Sequence, residues 1–174
     1  MPLPLTPSQT VGPFFSFGLC EPPAAELVTR DAAGALRIHG TVFDGQGETI
    51  SDAMIEIWQA DAAGRYEAGF GWGRVSTDDA GRYELVTAKP GRVPGPDNRP
   101  QAPHLELLVF ARGLLKPLLT RMYFPDEAEA NASDPVLCGL EPAEVETLVA
   151  QNDDGALRFD LRLQGERQTT FFAL

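Results

Sequence analysis

The sequence predicts a mainly β fold, an antiparallel β-sandwich with one short helix and an extended N-terminal arm. Three observations carry this reading. Seventeen glycines and fifteen prolines divide the 174 residues into short segments, which favours strands over long helices. Apolar residues recur at every second position in several of those segments, the period of a half-buried strand. Only one stretch carries helical spacing. With 43% hydrophobic residues the chain has enough apolar material for one sizeable core. A single domain over 1–174 is expected, with residues 1–35 as the arm and its connection and 36–174 as the sandwich.

The first strand is expected at Leu36–Phe43, closed by the turn residues Asp44-Gly45-Gln46-Gly47. The second covers Ala53–Ala60 and stops at Asp61-Ala62-Ala63-Gly64, and the third, Arg82–Thr87, follows Thr77-Asp78-Asp79-Ala80-Gly81. Residues 90–103 form a Pro/Gly-rich loop rather than a linker, because strand patterning resumes on both sides. Ala102–Gly113 reads as a buried strand, and Leu118, Thr120, Met122 and Phe124 mark another. The cleanest alternation is Leu157–Gln164. The helix is placed at Pro142–Ala150, with proline in its first turn, where the missing N–H costs nothing. No internal repeat or low-complexity segment is expected.

Fourteen basic against twenty-five acidic residues give a net charge of −11. No basic run or aromatic–basic alternation is present, which argues against a nucleic-acid partner. The same charge repels a small anionic ligand at long range, so such a ligand needs a local arginine. Cys20 and Cys138 show neither zinc nor redox spacing. The start, Met1-Pro2-Leu3-Pro4-Leu5-Thr6, lacks the charged and apolar regions of a signal peptide. No stretch approaches the roughly 20 apolar residues of a membrane span, so a cytoplasmic protein without membrane contact is expected.

The pair that most invites a chemical reading is His104 and Glu106. Alternation puts His104, Glu106, Leu108 and Phe110 on one strand face, and a histidine and a carboxylate so placed are a fragment of a metal site. The one other histidine is His39. The fragment lacks its further ligands.

Three stretches resemble the intradiol ring-cleavage dioxygenases: Ile55–Asp61 with Gly64-Arg65-Tyr66; Thr77–Tyr83 with Lys89-Pro90-Gly91; and Ala102-Pro103-His104. Their specificity lies in the order Trp58-Gln59-Ala60, Tyr66, Lys89-Pro90-Gly91, Pro103-His104. Thr6–Phe15, Phe110-Ala111-Arg112-Gly113, Thr120–Phe124 and the tail Arg158–Glu166 are similar to the alpha-type chains of the two-subunit enzymes in that family. The resemblance implies a transthyretin-like (prealbumin-like) sandwich. It also implies insertion of dioxygen into 3,4-dihydroxybenzoate between the hydroxyl-bearing carbons, giving 3-carboxy-cis,cis-muconate.

The catalytic chains of the family hold Fe(III) with two tyrosines and two histidines. By the resemblance Tyr66 and His104 stand at two of these positions, while Val93 replaces the second tyrosine and Glu106 the second histidine. No metal ligand and no catalytic residue are therefore expected here, Tyr66 becoming a packed tyrosine and His104 a hydrogen-bonded core histidine. A weak divalent site from His104, Glu106 and Tyr66 is the alternative. The resemblance gives the iron to a beta-type partner subunit and makes this chain inactive alone. It assigns substrate contacts to Thr10, Gly12, Pro13, Phe14 and Arg112, with Arg112 presenting a planar fork to the ring carboxylate. Arg121 and Tyr123 are expected in packing or the subunit contact. Phe14, Phe15 and Phe17 form an apolar group needing cover from a partner or from the sheet. The reading from another class is a transthyretin-like binding or structural module without catalysis.

Overall fold

The computed structural model describes residues 4–12, 14–20 and 25–173. A short helix α1 (Phe15–Leu19) precedes four strands: β1 (Ala35–Phe43), β2 (Met54–Trp58), β3 (Trp72–Ser76) and β4 (Arg82–Ala88). A two-residue pair, β5 (Val93–Pro94) and β6 (Pro100–Gln101), leads into β7 (His104–Phe110) and β8 (Leu118–Tyr123). After the helices α2 (Ala128–Ser133) and α3 (Pro142–Glu146) come β9 (Gln151–Asp153), β10 (Ala156–Arg158) and β11 (Leu161–Arg162).

Alternation sorts these strands into two layers. One sheet runs β3-β2-β7-β8, all antiparallel, and the other centres on β1, flanked by β4 and by β10, β11 and β9. Ile38, Leu85, Leu157 and Leu161 of one layer meet Ile55, Ile57, Leu105, Leu107, Val109 and Met122 of the other in a single core. Burying a branched apolar side chain of this kind stabilises by about 1.5–3 kcal/mol. A smaller cluster of Tyr123, Ala130, Leu137 and Leu148, with Val145 packed against it, fastens the α2–α3 segment to β8. The expected mainly β sandwich is the observed fold.

Several elements differ from expectation. Leu157–Gln164 is two strands rather than one. Phe159 still donates its N–H to His39 O (2.8 Å), but its carbonyl accepts from the Tyr83 hydroxyl (2.5 Å), and Asp160 Oδ1 accepts the Thr41 N–H (3.0 Å). Side chains thus replace the ladder at 159–160 while the inward alternation continues. Among the described residues the one short helix expected is joined by two others, α1 and α2. The helix placed at 142–150 ends at Glu146, because Leu148 O and Ala150 N–H pair with the backbone of Tyr123 (2.8 and 3.0 Å). Inside the expected 90–103 loop lies the β5–β6 pair.

A short echo in the chain, Asp61-Ala62-Ala63-Gly64-Arg65-Tyr66 and Asp78-Asp79-Ala80-Gly81-Arg82-Tyr83, folds the same way twice. Asp61 Oδ1 accepts the N–H groups of Ala63 and Arg65, and Asp78 Oδ1 those of Ala80 and Arg82. Each aspartate also pairs with the arginine four residues on, which holds both carboxyls below the ordinary range, chiefly through the arginine's own N–H. The first turn delivers Tyr66 to the outer surface and the second delivers Tyr83 to the core.

Candidate functional site: two clusters at opposite ends of one strand

The register of the four-stranded sheet builds the first cluster. Trp72, Trp58, Glu106 and Arg121 lie opposite one another in a row across β3, β2, β7 and β8. Leu105, Leu107 and Val109 face the core, so alternation sends His104 and Glu106 outward together, as expected. Tyr66 stacks on Trp58 with ring centroids 6.1 Å apart, and Arg74 covers Trp72 at 4.7 Å. Gln59 fixes the loop that carries Tyr66: its amide donates to Ala88 O (2.8 Å) and accepts from the Thr87 hydroxyl (2.6 Å).

Arg121 occupies the middle of this cluster. Its guanidinium donates to Glu106 Oε1 (2.9 Å), to Gln101 Oε1 (2.6 Å) and to the Tyr123 hydroxyl (3.4 Å). His104, 4% exposed, lies 5.5 Å from the Tyr123 ring, and its Nδ1 is 2.7 Å from Ala102 O. Nε2 on the other edge of the ring is buried with no hydrogen-bond partner. Burial, reinforced by the charge of Arg121, pushes the imidazole pKa down and keeps it neutral. Asp134, wholly buried, anchors the strand entry by accepting the Ala102 N–H at 2.7 Å.

These residues do not fit a ferric ion. Val93 offers only hydrocarbon. Burial and the charge of Glu106 raise the Tyr66 hydroxyl above its ordinary pKa, which disfavours the phenolate such a hard ion requires. The Glu106 carboxylate already holds a cation in Arg121. Among the described residues no group of three or more His, Cys, Asp or Glu is arranged to hold a metal.

The second cluster lies beyond the other end of β7. Gln9 and Val11 of the N-terminal arm line a crevice with Phe110, Ala111, Leu114, Lys116 and Pro117, so the arm and the turn carrying Arg112 are brought together. The Arg112 side chain is 67% exposed and pairs through Nε with Asp52. A guanidinium has five N–H donors, so one carboxylate does not exhaust it. Thr10 is exposed, and Gly12 has φ +82° with open space beside it, a conformation that glycine adopts without strain. Phe14 is exposed while Phe15 is buried by the chain's own fold. Pro13 and the Phe17 side chain lie outside the described residues. β7 runs from His104 to Phe110, roughly 20 Å at 3.3 Å per residue, and Arg112 lies two residues beyond its far end.

A family model described as a dioxygenase matches residues 21–165. The protocatechuate 3,4-dioxygenase alpha chain of Pseudomonas putida is 43% identical, the alignment covering 98% of this chain and 96% of that one. The chain belongs to the intradiol ring-cleavage dioxygenase family. The protocatechuate 3,4-dioxygenase beta chain of Burkholderia cepacia is 32% identical over 76% of this chain and 65% of its own length. Among solved structures, the dioxygenase domain of a dioxygenase carbohydrate-binding protein fusion from Streptomyces sp. SirexAA-E superposes with a TM-score of 0.65. It is 29% identical, over 92% of this chain and 99% of that one.

Within this intradiol dioxygenase fold, the two sets of residues singled out from sequence separate cleanly. Tyr66, Val93, His104 and Glu106 belong to the first cluster, and Thr10, Gly12, Phe14 and Arg112 to the arm-and-turn region. Sequence reasoning placed Arg121 in packing or the subunit contact and missed its pairing with Glu106. A β7–β8 hairpin centred on Gly113–Leu114 sets that register, and it was the signal available. Asp52 was missed as the partner of Arg112, and nothing in the local pattern marks it. No helix among the described residues is long and apolar enough to cross a membrane.

Proposed function

We propose that this chain is the alpha-type subunit of a protocatechuate 3,4-dioxygenase, completing the substrate pocket of a beta-type partner that holds the Fe(III). The observation that carries the proposal is the separation along β7. Arg112 stands beyond the far end of β7, with roughly 20 Å of strand between it and His104, too far to serve a reaction beside this chain's own Tyr66 and His104. A homologous partner has its iron positions at the start of the corresponding strand. The arm-and-turn end of this chain then serves a site on the partner, across an interface.

The partner's iron supplies the activation of the catechol ring toward dioxygen. This chain binds and orients. Arg112 takes the ring carboxylate of 3,4-dihydroxybenzoate, a charge-assisted contact of about 1.5–3 kcal/mol when sheltered, and supplies the local attraction that an acidic chain otherwise lacks. Thr10 donates its hydroxyl to a substrate oxygen. Gly12, Pro13 and Phe14 wall the flat ring, and closing the interface excludes water from it. A transthyretin-like module without catalysis leaves the 43% identity over nearly the whole chain unexplained.

Co-expression with a beta-type chain is expected to give one heteromeric peak in size-exclusion chromatography that consumes dioxygen with 3,4-dihydroxybenzoate, while neither separated chain does. Two independent peaks refute the proposal.

A further inference from the structure

The turn after β7 carries two cations, Arg112 and Lys116, and only the first is committed. Arg112 is paired through Nε with Asp52, so the pair presents little net charge to an incoming anion. It offers directed donors, but within a chain of net charge −11 that repels a carboxylate at long range. Lys116 differs. The chain has one other lysine, Lys89, which Asp126 and Glu127 hold at 2.8 and 2.7 Å, whereas Lys116 forms no ion pair among the described residues.

Strand pairing brings Lys116 to the arm. Val109 and Leu118 end the β7–β8 ladder, and Leu114 closes the turn by donating its N–H to Ala111 O at 3.2 Å. Phe110 and Ala111 on the outgoing side then share a crevice of about 90 Å³ with Lys116 and Pro117 on the returning side, and Gln9 and Val11 of the arm complete it. Gln9 and Lys116 supply its two polar side chains, and the other walls are apolar. Apolar walls with a few convergent polar groups are the form of a small-molecule subsite. At about 30 Å³ per water, the space takes a carboxylate with a water beside it and is too small for the whole of 3,4-dihydroxybenzoate.

We propose that Lys116 is a specificity-determining residue, its ammonium and the Gln9 amide receiving the ring carboxylate at this crevice, beside Arg112. The role rests on the reading that the arm-and-turn end serves a partner's site. The two cations divide the work. Arg112, steadied by Asp52, gives a planar fork that sets orientation, and Lys116 gives the uncompensated point charge that makes the turn attractive to an anion at all. Gln9 and Lys116 are both exposed in the chain by itself, so docking of the partner shelters the contact and strengthens it.

The experiment is steady-state dioxygen uptake by the heteromer co-expressed with a beta-type chain, with 3,4-dihydroxybenzoate and with catechol. Lys116→Gln, which keeps the length and loses the charge, is expected to raise KM for 3,4-dihydroxybenzoate about fivefold with kcat little changed. KM for catechol stays within about twofold. Lys116→Arg restores KM for 3,4-dihydroxybenzoate to within about twofold of wild type, and Lys116→Glu raises it beyond the glutamine variant. A merely structural lysine gives no such order of charge and no difference between substrates. A heteromer that turns over normally and is indifferent to Lys116→Gln, or whose two KM values rise together, overturns the role of Lys116 and leaves the subunit reading standing. Failure of the wild-type chains to form an active heteromer overturns both.

Discussion

Replacing Arg112 with alanine in the assembled enzyme is expected to raise KM for 3,4-dihydroxybenzoate by about 10- to 150-fold. That range is the 1.5–3 kcal/mol of a sheltered charge-assisted contact, at 1.4 kcal/mol per tenfold. KM for catechol, which has no carboxylate, is expected to change by less than about threefold. The ratio of the two effects is the diagnostic quantity, because a folding defect or a disturbed interface moves both substrates together. Asp52 gives the prediction a second arm. It holds the Arg112 guanidinium through Nε, so Asp52→Asn should weaken the same discrimination to a smaller extent by letting the fork wander. Steady-state dioxygen uptake with both substrates measures all of this. Equal KM increases for the two substrates would remove the carboxylate role from Arg112.

A large effect on stability is expected at Gly40, opposite Tyr83 in the β1–β4 ladder. A Cβ there would sit 1.9 Å from the carbonyl oxygen of Phe159 and 2.9 Å from the Tyr83 ring. Neither is free to yield, because that oxygen accepts the Tyr83 hydroxyl and the Phe159 N–H is bonded to His39. Gly40→Ala must therefore push β10 and β11 away from β1 or break the buried tyrosine hydrogen bond. The cost is about 3–4 kcal/mol, a fall in Tm of roughly 10 °C for a chain this size. Gly139→Ala is the control, since a Cβ there meets nothing within 4 Å and its φ is not positive. Thermal unfolding by circular dichroism separates the two, and matching melts would show that the sheet yields at Gly40.

The strands at residues 36–43, 82–87, 104–110 and 118–123 were legible because a two-layer sandwich buries one face of each, which writes period two into the sequence. β3 was not legible. Its Trp72 belongs to the exposed outer row and Gly73 adds no side chain, so Trp72–Ser76 carries no clean alternation. The break at Phe159–Asp160 was invisible for the opposite reason, since Phe159 and Leu161 both stay buried while the hydrogen-bond partners change. α1 and α2, of five and six residues, are too short to display a helical period.

The candidate site divides in the same way. His104 and Glu106 share a face by alternation alone, and the absence of tyrosine and histidine at Val93 and Glu106 is plain from the order of the motifs. What alternation cannot supply is pairing between strands. Arg121 meets Glu106 only through the β7–β8 register, and Asp52 meets Arg112 only through tertiary folding. The arm's approach to the turn after β7 is equally non-local.

The chemistry proposed for this chain belongs to another polypeptide's metal, and iron stoichiometry is the decisive measurement. Iron is to be measured in the chain purified alone and in the complex purified after co-expression with a beta-type partner. No stoichiometric iron is expected in the chain alone, and about one iron per pair of chains in the complex. An isolated chain that carries stoichiometric iron and cleaves 3,4-dihydroxybenzoate would contradict it.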